Sequence, residues 1–146
     1  MGPVIAPTEG MGPSWCVLIA ALLCAFTTAC NRLDDQLQHH REKFESLAAS
    51  AGFIGNAWLS GSTSGTYTAT ALSQTFLLVE NERATLASTP DALIDRRGAE
   101  LSDSAEALSR VIAALLDDVR GADAAAVRQR LATIPFAPPT YYGRNR

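Results

Sequence analysis

From residue 33 onward, apolar side chains recur at alternating intervals of three and four, the spacing that lines one face of an α-helix. Leu37, Phe44, Ala51 and Trp58 stand seven apart, and Leu33, His40, Leu47 and Ile54 fill the positions between them. This stripe predicts a helix over 33–59, roughly 40 Å long at 1.5 Å per residue. Gly52 and Gly55 lie inside it, where glycine costs ~1 kcal/mol relative to alanine. They mark either a close approach of a neighbouring helix or a bend. Gly61-Ser62-Thr63-Ser64-Gly65 then breaks the pattern, with a glycine stop and hydroxyl caps. A second stripe, Gly65, Ala69, Leu72, Phe76, Val79, Arg83 and Leu86, predicts a helix over 65–87, its face broadened by Tyr67, Ala71 and Leu78.

Thr89-Pro90-Asp91 has the form of a helix start, with threonine as cap and proline at the first helical position. It predicts a short connector helix that Arg96-Arg97-Gly98 interrupts. Leu101, Ala105, Leu108, Ile112, Leu115 and Val119 form the third long stripe, closed at Gly121. Asp123 caps a last short helix with Ala124, Val127, Leu131 and Ile134 on its apolar side, and Pro135 ends it. Proline is absent between Cys30 and Thr89, and β-branched runs are missing throughout. The fold class expected is all-α, an antiparallel up-down bundle of three long helices plus short helices. The bundle occupies 30–134 and is followed by a Pro/Tyr-rich extended tail, 135–146. Burying ~20 side chains at ~1.5–3 kcal/mol each competes with chain entropy, so no metal or cofactor is called for.

The chain ahead of the bundle is patterned differently. Residues 15–29 are fifteen consecutive uncharged residues ending Thr27-Thr28-Ala29, and Cys30 follows. Such a run suits a secretion signal and falls short of the ~20 apolar residues that span a bilayer. Small residues before a cysteine resemble the end of a bacterial lipoprotein signal, with Cys30 at the lipidated position and Ala29 and Thr28 at the small positions before it. The resemblance implies that residues 1–29 are a signal peptide and that Cys30 carries the lipid. It implies a periplasmic-face location in the cell envelope, and Asn31 after the cysteine favours the outer membrane. Cys16 and Cys24 would leave with the signal, so acylation would consume the last thiol. Two alternatives stay open: an uncleaved hydrophobic anchor, and an unacylated Cys30 that marks only the cleavage site and pairs with a second Cys30.

Charge excludes some partners. All twelve basic residues and fourteen of the fifteen acids follow Cys30, leaving −2 on residues 31–146. That balance does not suit a nucleic-acid binder, so no nucleic-acid partner is expected.

Motifs for chemistry are few. His39 and His40 are adjacent, about 100° apart on a helix, and cannot chelate one ion as an i, i+4 pair would; no metal site is expected. No glutamate stands three residues before either histidine, as helical di-iron sites require. The segment 61–66 lacks the lysine and the preceding strand of a phosphate loop, and no Gly-x-Ser-x-Gly occurs. Asp34-Asp35 reads as acid at a helix N-terminus. Asp117-Asp118 sits against the dipole of a helix C-terminus, offset by Arg120. Arg83 is a charge on a core-facing stripe, paired with Glu80 or Asp95 or else facing a groove where it would receive an anion.

An enzyme is not expected. The leading expectation is a non-enzymatic, lipid-anchored envelope protein, held to the membrane by the lipid, with an envelope protein as candidate partner. The alternative is a soluble periplasmic bundle that binds a small ligand or metal between its helices, with Arg83, His40 and Tyr67 as candidate ligand-binding residues. Seven-residue stripes could also pair between chains, which makes a homo-oligomer a third candidate.

Overall fold

The computed structural model describes residues 14–89 and 92–136, with side chains from residue 33. The side chain of Cys30, the Pro90-Asp91 pair and tail residues 137–146 lie outside the described residues. Among those described the chain is helical without strands: α1 (Ser14–Leu59), α2 (Gly65–Ser88), α3 (Arg96–Arg120) and α4 (Ala124–Leu131). It divides into two compact units, Met1–Asp34 and Asp35–Arg146. The backbone of the first is helical from Ser14; the second is the helical bundle. Asp34-Asp35 therefore lies within α1, not at a helix start, and the dipole argument does not apply to it.

Side-chain pairings fix the topology of the bundle. From Glu80 to Arg83 along α2, the α3 partner steps back from Ser109 to Glu106, so these helices are antiparallel. His40 of α1 meets Glu82 late in α2, while Trp58 near the end of α1 lies beside Gly65 at the start of α2. That pair is antiparallel too. Short α4 returns along α3 and α1: Arg130 bonds Asp118 at 3.0 Å, and Leu131 covers Gly55. Gly55 thus serves a close helix–helix approach. Asp118 gains a cation from α4, while its neighbour Asp117 faces Arg120 at 3.8 Å.

All six stripe residues of α3 are buried, as are Val127, Leu131 and Ile134. The face of α2 differs from the expectation. Its buried positions are Thr68, Leu72, Thr75, Val79 and Leu86, and the Glu82 side chain is only 12% exposed. One column of this seam is polar every seventh residue, Thr68, Thr75, Glu82 and Thr89. The other column, Leu72, Val79 and Leu86, is apolar. Tyr67 and Leu78, expected to broaden the core face, are 64% and 55% exposed. The threonines take the inner positions because each hydroxyl bonds the carbonyl four residues back, Thr68 to Ser64 and Thr75 to Ala71. Their methyl groups are left to pack.

A second correction concerns the α2–α3 connection. Thr89 is the C-cap of α2, donating its N–H to Leu86, and described residues 92–95 form turns without a connector helix. Arg96-Arg97-Gly98 is the first turn of α3, not an interruption. Asp95 caps that helix, accepting the Arg97 N–H at 2.8 Å. Gly98 is required by contact: a Cβ there would lie 1.6 Å from the carbonyl oxygen of Ala92. The glycine that resembles a helix breaker admits the returning turn.

Candidate functional site

Two polar clusters are built into the helix interfaces. In the first, His40 Nδ1 lies 2.6 Å from Glu82 Oε1 and Nε2 lies 3.3 Å from Thr89 Oγ1. Lys43 Nζ donates to Glu82 Oε2 at 3.1 Å. Thr89 Oγ1 donates its one hydrogen to Thr85 O at 3.1 Å, so toward His40 it can only accept. The Glu82 carboxylate likewise accepts. Nδ1 donates to that carboxylate, and both ring nitrogens are engaged across the helix interface. His40 is 6% exposed, and neither nitrogen is left for a substrate or a metal. The cluster ties α1 to α2.

The second cluster lies between α2 and α3. Arg83 Nη1 donates to both oxygens of Glu80, at 2.8 and 3.0 Å, and Nη2 stands 3.8 Å from Glu106. Ser109, itself buried, donates its hydroxyl to Glu80 Oε1. That hydrogen bond, the largest influence, holds the Glu80 carboxyl below its usual value against the opposing effect of burial, with the Arg83 guanidinium adding to it. The i, i+3 partner Glu80 was legible in sequence. Glu106 and Ser109 were not, because only the packing of α3 brings them near. Asp95, the other partner expected for Arg83, pairs instead with Arg97 at 3.3 Å. That side-chain bond is the first cause of its lowered pKa.

The three candidate ligand residues therefore do not converge. His40 and Arg83 belong to separate clusters. Tyr67 stands exposed at the start of α2, about 22 Å along the helix from Glu82 at 1.5 Å per residue. Among the described residues no three of His, Cys, Asp or Glu come together as a metal site, and no buried side-chain nitrogen or oxygen lacks a hydrogen-bond partner.

A further concavity lies elsewhere. An open groove of about 640 Å³ at the far end of the bundle is lined by Trp58, Gly65, Ala69, Ser73, Val119 and Arg120, among others. Sequence reasoning missed it as a site, because its walls are small α2 residues and the ends of α1 and α3, with no motif among them. Only Trp58 and Arg120 offer large recognition groups there. No protein family, no curated protein and no solved structure matches this chain.

Proposed function

We propose that this is a lipid-anchored cell-envelope protein, exported by the signal in residues 1–29 and tethered through Cys30, whose helical bundle works as a non-enzymatic interaction or structural module. The observation that carries the reading is the uncharged run at 15–29 ending in small residues directly before Cys30. The bundle's chemistry is consistent with it: His40, the Glu80 and Glu82 carboxylates and Arg83 are occupied in holding helices together. No helix among the described residues is long and apolar enough to cross a membrane, so a lipid on Cys30 would supply the attachment. The test is membrane fractionation in a Gram-negative host beside Cys30→Ser. The wild-type chain should pellet with membranes through a high-salt wash and the variant should move to the soluble fraction. Equal partitioning of the two would remove Cys30 as the anchor.

The groove beside Trp58 favours a second reading, a periplasmic bundle that binds a small molecule, since its volume is in the ~300–1,000 Å³ range of ligand sites. Ligand-dependent melting across a broad panel tests it, with Trp58→Ala abolishing any shift. A panel without any shift counts against it.

A further inference from the structure

Two large apolar side chains stand out from one end of the bundle. Leu93 is 49% exposed and Ile94 is 85% exposed, side by side in the turn between α2 and α3. A lone exposed apolar residue needs no explanation, but an adjacent pair at the tip of a chain reversal forms a surface that water solvates poorly. The turn is held in this shape from both sides. Ala92 before the pair is fully buried, with its carbonyl seated on Gly98. Asp95 after the pair is fixed as the cap of α3. Leu93 and Ile94 are displayed by a clamped turn.

Position says what lies in front of them. His40 touches Thr89, so the turn is at the end where α1 enters the bundle. His40 follows Cys30 by ten positions, about 15 Å as helix and no more than roughly 35 Å fully extended. A Cys30 held in a membrane therefore keeps this end of the bundle near the lipid, whatever path the intervening chain takes. The other end, with the α1–α2 turn, lies farther away by the length of α2, 24 residues or ~36 Å. Charges after the pair cancel in ion pairs, Arg96 with Glu100 at 2.8 Å and Arg97 with Asp95, and Asp91 before it leaves −1 over residues 91–100. The tip thus presents apolar area with a net charge of only −1 over residues 91–100, which suits the apolar part of a bilayer interface.

We infer that Leu93 and Ile94 insert into the lipid surface to which Cys30 tethers the chain, so that the bundle stands on its α2–α3 turn. This rests on the lipid-anchor reading above. Two side chains bind lipid weakly alone; the tether raises their effective concentration at the surface and makes the contact persistent.

Site-specific photocrosslinking of the full chain in living Gram-negative cells tests this. A diazirine amino acid is placed at position 94, and in a control at position 62 in the α1–α2 turn. Irradiated protein is then read by intact mass. The expected result is phospholipid adducts at 94 at least tenfold above those at 62. Adducts at 94 to protein or water, with none to lipid, overturn the inference. The same spectrum reports acylation of Cys30 separately. An acylated chain without lipid adducts at 94 sinks the turn contact and leaves the anchor standing. Lipid adducts at 94 on an unacylated chain sink the anchor and leave the contact standing.

Discussion

Glu82 holds two donors of α1 at once, His40 at 2.6 Å and Lys43 at 3.1 Å, with only 12% of its side chain exposed. Removing one partner of such a pair strands the other in a poorly solvated place, whereas replacing both by apolar groups can be nearly neutral. Glu82→Gln should therefore destabilise by ~2 kcal/mol, and the double change His40→Leu with Glu82→Leu should recover most of that loss in urea denaturation. A double variant as unstable as the sum of the single changes would contradict this. Glu80 carries a pH signature. Its carboxyl ionises at lower pH in the folded chain than in an unfolded one. It therefore adds stability above the ordinary carboxylate range, and that stability is lost as pH falls through the depressed folded value. Asp95 acts with the same sign. Glu80→Gln should flatten the acid limb of stability against pH, losing less than the wild type does between neutral and strongly acidic solution. At this scale a sequence reader sees Arg83 with Glu80, because their spacing alone makes them neighbours. Ser109, Glu106 and Glu82 become visible only once helices are packed.

Helix ends and helix contacts decide the connections. α1 closes through Gly61, whose φ of +73° is the left-handed conformation that glycine adopts without steric cost. α3 closes with a bond reaching five residues back, Asp123 N–H to Asp118 O at 3.0 Å, as Ser62 N–H reaches Ala57 O at 2.9 Å in α1. There the left-handed residue is Ala122, φ +54°, while Gly121 remains right-handed. Glycine is offset by one residue from where it would help most. Ala122→Gly should raise stability by about 1 kcal/mol, read as a higher urea midpoint. Gly98 and Gly55 make a contrasting pair. An added Cβ at 98 meets backbone that cannot yield, so Gly98→Ala should cost at least ~2 kcal/mol. At 55 it meets the terminal methyl of Leu131 at 2.8 Å, which can swing aside, and the gain in helix propensity offsets much of the cost. Gly55→Ala should stay within ~1 kcal/mol of wild type. The contrast also explains why the segment after Thr89 was misread: a glycine needed for contact looks the same in sequence as one that breaks a helix. One column of the α2 seam lies one residue away from its expected place for a related reason, while Leu72, Val79 and Leu86 are buried as expected. Thr68, Thr75 and Glu82 are polar in composition yet buried in place, and hydropathy alone moved the stripe to Ala69, Phe76 and Arg83. The α3 stripe held at every position because its seam is apolar throughout.

At the scale of the whole molecule, the bundle from Asp35 onward has its own core and satisfies its buried polar groups from within. Its all-helical class followed from the absence of proline between Cys30 and Thr89 and of β-branched runs, and from stripes that each alternate three and four. Its role was less legible, since its polar residues are spent on holding helices together and no motif stands apart from that task. The functional account therefore turns on the residues ahead of the bundle, and on Cys30 most of all. Intact mass of the protein purified from a Gram-negative host, beside Cys30→Ser, tests that account most directly. It predicts a species beginning at Cys30 and carrying three acyl chains, absent from the variant. A full-length, unmodified wild-type chain would contradict it.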